Sequence, residues 1–315
     1  MSTEFTHESV MPYEVIKYLG PQSGDIIVDG TLGGGGHASL ILERIMPNGL
    51  LVGIDQDQEA IKAAEKKLSG FKANTKIIQG NFGDIGKILT ELKIDKVDGI
   101  LLDLGVSMHQ ILTPERGFGF YPSPENLKAP LDMRMNPEVG LMAADIVNTW
   151  KEKELAELFF KLGDEKYSRS IASQIARKRP LNTVNDLLEA IKAGTPPSYR
   201  AKSLKNKWAA NVFRALRMEV NNELGVIKEG IRGGLKLLRS GGKMVVITFH
   251  STEDRLVKEI FKELTLTENY QPGFGLPKEP SVAELVTKKP VSPTESEIRR
   301  NPAARSAKLR IIKKL

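Results

Sequence analysis

The chain has 315 residues, with 46 lysines and arginines against 39 acids, a net charge of +7 and no cysteine. Its 40% hydrophobic and 27% charged residues are ordinary for a soluble globular protein. The missing cysteine excludes disulfides, thiolate metal sites and cysteine nucleophiles.

No apolar run approaches the roughly 18 residues that a membrane span needs. The opening MSTEFTHESVMPYEV also lacks the basic-then-apolar layout of a secretory signal. A cytoplasmic protein without a membrane partner is therefore expected. His7, His37, His109 and His250 show no paired ligand spacing, so no metal site is expected.

In chain order, Ile26 to Val28 is an apolar, β-branched strand closed by Asp29 and Gly30. Gly33 to Gly36 follow, and then a helix patterned by Ala38, Leu40, Ile41, Leu42 and Ile45. Gly49 ends that helix, and Leu50 to Ile54 form a second buried strand with Asp55 at its end. Glycines at such a turn let the backbone approach a ligand closely, and an acid about 20 residues on can hold ribose hydroxyls. The stretch predicts a nucleoside-cofactor site, and by itself it fits a dinucleotide or S-adenosylmethionine equally.

A helix over 57–68 follows, with Ile61, Ala64 and Leu68 on one face, then a third strand at 76–79. Asp84 is read as the cap of the next helix. A fourth strand, VDGILLD, runs over 97–103 and again closes on an acid. Strands separated by helices predict parallel pairing with right-handed crossovers.

The alternation stops near Gly105. A proline- and glycine-rich stretch over 109–138 precedes helical segments up to about 199, too much chain for a plain loop. One long helix is predicted from about 205 to 238. A fifth strand over 243–249 follows, with His250, Ser251 and Asp254 at its exit, where they line a base pocket or cap the next helix. Two tail strands, over 284–291 and 307–313, are expected as a hairpin at the sheet edge. The fold expected is thus α/β: a Rossmann-like, mostly parallel sheet with a tail hairpin and an inserted helical domain. The core would comprise 1–107 and 205–315, and the insertion 108–204. The insertion would hang from the carboxyl edge of the sheet, where open α/β sheets bind ligands.

Charge is clustered. Leu285 to Leu315 carries nine basic residues against two acids, and Pro196 to Met218 carries six and no acid. Such clusters point to a polyanion, most simply nucleic acid. Arg116, Phe118, Phe120 and Arg134 combine rings with cations, as a flipped or single-stranded nucleotide requires. A packed loop would use the same residues.

Longer motifs are more specific. DGTLGGGGH (29–37), GIDQD (53–57), GILLDLGVS (99–107), ERGFGF (115–120), PLDMRM (130–135), FRALRMEVNNEL (213–224), FHSTEDRLVK (249–258) and NPAARSAKLR (301–310) span nearly the whole chain in order. On these the chain resembles the bacterial ribosomal RNA small subunit methyltransferase H family. It departs from the usual family pattern at Met108-His109, at Gly119, in a longer linker over 121–129 and in KWAANVFRALR (207–217).

The resemblance implies methyl transfer from S-adenosylmethionine to the N4 amine of a cytidine in the decoding region of 16S rRNA. The partner would be the 16S rRNA of the small subunit, and a homodimer is left open. It also implies cofactor contacts from Gly35, Gly36, His37, Asp55, Phe82, Asp103 and Gln110. Asp103, with Asp132, would supply the acceptor that draws out the amine lone pair. Arg116, Phe118, Phe120, Arg134, His250 and Arg305 would face the RNA, with Arg300 and Arg310 on its phosphates. The alternatives are a methyltransferase acting on another RNA or DNA amine, and a non-catalytic RNA-binding assembly factor. The intact glycine turn, Asp55 and Asp103 argue against the last.

Overall fold

A computed structural model describes residues 9–138, 140–201, 207–265 and 281–315. His7, Lys202 and Lys205 lie outside the described residues. The chain divides into two compact units, one ending its first segment at Gly105 and resuming over Leu224–Leu315, the other Val106–Glu223.

The first unit begins with helix α1 (Pro12–Leu19), strand β1 (Ile26–Asp29), α2 (Gly36–Ile45) and β2 (Leu50–Asp55). It continues with α3 (Gln58–Lys67), β3 (Thr75–Gln79), α4 (Ile85–Glu91) and β4 (Val97–Asp103). Near-continuous apolar runs such as Ile100–Leu102 suit strands covered on both faces. Asp84 precedes α4 but makes no capping bond. Asn81 is the cap instead, its side chain accepting the Gly83 N–H at 2.9 Å. Asp84 is the acid nearest the helix, but a short 3₁₀ turn at Phe82–Asp84 moves the start upstream.

The second unit contains α5 (Met108–Leu112), α6 (Pro124–Leu127), α7 (Ala143–Thr149), α8 (Glu152–Lys161) and α9 (Ser168–Lys178). It ends with α10 (Val184–Ala193), α11 (Pro197–Arg200) and α12 (Ala210–Val220). Its own core includes Leu131, Ile146, Phe159, Ile175, Leu187 and Phe213. The single helix expected over 205–238 is broken. Asn222 takes φ +46°, a left-handed conformation that asparagine tolerates better than most residues. The Asn221 side chain accepts from Met135 N–H at 2.7 Å and donates to Met133 O and Arg217 O. Those bonds hold the chain end of α12 on the 133–135 loop. The unit boundary therefore falls at Glu223, not near 204, because α12 packs on α8.

The chain returns through α13 (Glu223–Leu237) to β5 (Leu238–Thr248), α14 (Ser251–Thr265), β6 (Ala283–Leu285), α15 (Glu295–Arg300) and β7 (Lys308–Lys314). Seven strands among the described residues form one sheet in the order β3-β2-β1-β4-β5-β7-β6. The first five neighbours pair in parallel, and β7 pairs antiparallel with both β5 and β6. The expected edge hairpin is present, with its inner strand Lys308–Lys314. Alternation along β7 sends Leu309 and Ile311 into one core and Ile312 into the other. No described helix is long and apolar enough to cross a membrane.

The tail is also pinned by charge. Asp254 on α14 accepts from Arg310 Nε at 2.7 Å and Lys308 Nζ at 3.0 Å. Arg310 and Asp254, both mostly buried side chains, are thus engaged with each other inside the fold. These cations hold the Asp254 carboxyl below the usual carboxylate range. Such a depressed acid contributes stability above its unfolded pKa, lost as pH falls through the folded value. Asp254→Asn should cost about 1.5–3 kcal/mol at neutral pH, the worth of charge-assisted hydrogen bonds. Chemical denaturation should show that loss at pH 7 and little difference near pH 2.

Candidate active site

Parallel pairing brings the carboxyl ends of β1, β2 and β4 to one edge. The register sets Asp29 beside Gly53 of β2 and Leu101 of β4. Asp29, Asp55 and Asp103 thus close three adjacent strands. Thr31 joins two of the ends, its N–H donating to Asp29 Oδ1 at 3.2 Å and its Oγ1 accepting from Asp103 N–H at 2.6 Å.

Burial dominates the electrostatics. It pushes the Asp29 carboxyl up to about 7 against the Thr31 hydrogen bonds, with the Asp55 charge adding to the rise. It pushes Asp55 up to about 6, opposed by the Asp57 and Gly33 N–H groups. Asp103 is raised well above its ordinary value by burial and then by the charges of Asp29 and Glu253. Asp103 Oδ1 is buried with no hydrogen-bond partner among the described residues. Its Oδ2 lies 3.6 Å from His37 Nδ1. His37 Nε2 is 2.8 Å from Val10 O, and since a carbonyl only accepts, the ring donates there. His37 is 6% exposed, a packed histidine with one nitrogen facing Asp103.

Among the described residues, no lysine or arginine forms an ion pair with Asp29, Asp55 or Asp103. Three adjoining acids with raised pKa values and an orphaned oxygen make a seat for a cation. The glycine turn supplies the rest of a nucleoside-cofactor cradle. Gly35 sits at φ +77° just before α2, where a Cβ would also press on Leu68. Gly35, at the α2 N-cap, has no side chain to make a capping bond, and the helix points its N-terminal end toward the glycine turn. Asp55 accepts Gly33 N–H on Oδ2 at 2.8 Å and Asp57 N–H on Oδ1 at 2.9 Å. The Gln56 N–H also bonds this carboxylate, and with about four acceptor positions one remains for a ribose hydroxyl. Phe82 lies half-buried against Gly230 of α13, where a Cβ would collide with the ring.

The family model of the MraW methylases matches residues 4–315. The chain belongs to the MraW methylase family. Among curated relatives, the ribosomal RNA small subunit methyltransferase H of Syntrophotalea carbinolica is 47% identical, over 99% of this chain and 98% of its own length. The proteins of that name from Geobacter sp. strain M21 and Geobacter sulfurreducens are 43% and 44% identical, each over 99% of both chains. As a methylase of this family the chain is a methyltransferase, and its methyl donor is S-adenosylmethionine. The acidic edge fits that donor, whose sulfonium and ammonium are both cationic.

The other expected site residues are placed as follows. Gln110 is buried and completes a capping box on α5, its Oε1 accepting Ser107 N–H while Ser107 Oγ accepts Gln110 N–H. Asp132 is clasped by Arg134, with Nε on Oδ1 at 2.8 Å and Nη2 on Oδ2 at 2.9 Å. Arg116 donates to the Arg134 and Met135 carbonyls. Phe118 is 6% exposed in the second unit's core, and Phe120 packs on Phe213 at 5.2 Å between ring centroids. Within the RGFGF (116–120) and PLDMRM (130–135) segments, then, rings and cations lock the loops together. His250 Nε2 lies 3.0 Å from Glu253 Oε1, while Glu253 Oε2 accepts the Phe249 and His250 N–H groups. The α14 start is thus organised by Glu253, with Ser251 as its first residue. Arg305 is exposed, in the 3₁₀ turn Pro302–Ser306.

Three participants escaped the sequence reading: Asp29, Thr31 and Glu253. Asp29 carried the same signal as Asp55 and Asp103, an acid closing a buried strand, but only the sheet order reveals that the three ends adjoin.

The raised acids have a consequence for binding. Below about pH 6 the apo site holds protons that a cationic ligand must displace, so affinity should rise with pH through 6–7. Calorimetry at pH 8 and pH 5.5 should show S-adenosylmethionine binding roughly tenfold or more weaker at the lower pH, given about 1.4 kcal/mol per pKa unit. A flat profile would mean that the acids do not form the cation seat.

Proposed function

We propose that this methyltransferase modifies the N4 amine of a cytidine in the decoding region of 16S rRNA. Full-length identity of 41–47% to relatives bearing the small-subunit rRNA methyltransferase name supports the RNA class. The observation that carries the chemistry is Asp103: an acid at the end of β4 with a buried, unpartnered oxygen beside the cation seat.

A cytosine amine is a weak nucleophile because its lone pair is delocalised into the ring. S-Adenosylmethionine supplies an electrophilic methyl group to it. What the protein must add is alignment and an acceptor for an amine N–H. Ionised beside the cationic donor, Asp103 Oδ1 would accept that N–H, turn the lone pair toward the methyl group and take the proton, the N–C bond forming as the methyl–sulfur bond breaks and the neutral thioether leaves. The resulting carboxylic acid then releases the proton to water. Asp55 would hold the ribose, and the backbone of the glycine turn would meet the methionine moiety. His37 packs against the Asp103 side chain and keeps it in place. Asp132 orients Arg134 rather than acting on the amine. The exposed Arg305 meets an RNA phosphate, and the reaction takes place in the cytoplasm.

Transfer of labelled methyl to small ribosomal subunits, followed by nucleoside mapping, tests the whole reading; N4-methylcytidine is the expected product. Asp103→Asn should lower kcat about 10²-fold or more, the scale for removing one oriented group. Full turnover by that variant would remove Asp103 from the chemistry, and label in another nucleoside would overturn the target.

A further inference from the structure

The second unit carries a groove that none of the roles above uses. One face of α10 repeats at helical spacing: Asn185, Leu188, Glu189 and Lys192 stand at i, i+3, i+4 and i+7. All four line a cavity of ≈ 310 Å³. Leu127 of α6 forms the opposite wall, and Trp208 and Arg200 complete it. Leu127 belongs to the 121–129 linker, which is longer than the family pattern.

The lining is mixed in a particular way. Leu188 and Leu127 are apolar, and Trp208 offers a half-buried indole packed on its other side against the unit's core. Neither the Asn185 carboxamide nor the Trp208 indole N–H has a hydrogen-bond partner among the described residues. Lys192 is exposed and meets Glu189 at 3.1 Å, a pair with both side chains about half in solvent, which such exposure makes weak. Arg200 bonds the Lys192 and Thr195 carbonyls through Nη1, which fixes its guanidinium at the end of α10. Groove and rim therefore combine an aromatic face, a free amide, two cations and the Glu189 carboxylate, whose solvent-exposed pair with Lys192 a phosphate can displace. That is the set that holds an unpaired nucleotide: ring stacking, base-edge hydrogen bonds and phosphate charge. The volume is at the lower end of small-ligand sites, room for one base and not a stack. The described residues that flank it in the chain, Arg200 and Lys207, are basic, which favours an anionic partner.

We propose that this groove binds one unpaired nucleotide of the RNA substrate, away from the methylated base, with Trp208 under the ring, Asn185 on its edge and Lys192 and Arg200 on its phosphate. The proposal rests on RNA being the substrate and adds a second anchor to it.

The chain has two tryptophans, so Trp150→Phe leaves Trp208 as the sole fluorescent reporter. Titration with nucleoside 5′-monophosphates and then a short single-stranded oligoribonucleotide should quench it saturably. Lys192→Glu and Asn185→Leu, both exposed positions, should each weaken the oligonucleotide at least fivefold with an unchanged melting temperature and unchanged S-adenosylmethionine affinity. Lys192→Glu should also raise the KM for small subunits. Absence of saturable quenching, or equal affinity in both variants, would overturn the groove. So would quenching by intact subunits but not by RNA, which would mark a protein contact instead. If small subunits are not methylated while the oligonucleotide still quenches, the assigned reaction fails and the groove stands.

Discussion

The burial of three carboxylates at one edge of a parallel sheet is the constraint on which the rest of this protein depends. Pairing β1 with β2 on one side and β4 on the other leaves Asp29, Asp55 and Asp103 no way to separate. A shift of Asp29 from 3.8 to about 7 corresponds to about 4 kcal/mol of unfavourable burial once the group is ionised. Such a group persists only if the surrounding fold is rigid enough to impose it. Two apolar cores, one on each face of the sheet, supply that rigidity. The same desolvation that strains the apo site is what lets a cationic methyl donor bind there with little competition from water.

Much of this was legible from residues alone. Apolar runs and glycines marked the strands and the cofactor turn, because both signals are local. Asp55 and Asp103 were read as functional for their positions at strand ends. What failed to show were relations between distant segments. Asp254 and Arg310 lie 56 positions apart, and nothing in either motif announces the ion pair. The break at Asn221 and Asn222 was hidden because helical periodicity continues on both sides. Its cause is a set of bonds to Met133 and Met135, more than 80 residues earlier.

Composition leaves open what it can satisfy in two ways. Arg116, Phe118, Phe120 and Arg134 have the chemistry of a base-binding loop, but their rings fill a core and their guanidinium groups meet Asp132 and backbone carbonyls. Trp208 and Asn185 attracted no notice, since a lone tryptophan and an exposed asparagine are unremarkable in sequence. Only packing shows which polar groups are already satisfied. A binding surface is better read from the donors and rings left unsatisfied than from the total present.

The tail makes the same point for charge. Its nine basic residues in a stretch of 31 positions look like one RNA-binding patch. Yet Lys308 and Arg310 neutralise Asp254, and Lys313 meets Glu284 across the β6–β7 ladder. These three lie on β7 and serve the sheet. Exposed and outside the strand are Lys288, Lys289, Arg299, Arg300 and Arg305. Arg299 touches Glu295 only at 3.4 Å with both side chains almost fully in solvent, a contact too exposed to hold it. The division follows from the strand pattern. In β7 a cation must alternate with core residues and lie beside a neighbouring strand or helix, where an acid can reach it. Lys288, Lys289 and Arg305 lie outside that ladder and stand in solvent, where such charge can meet a phosphate.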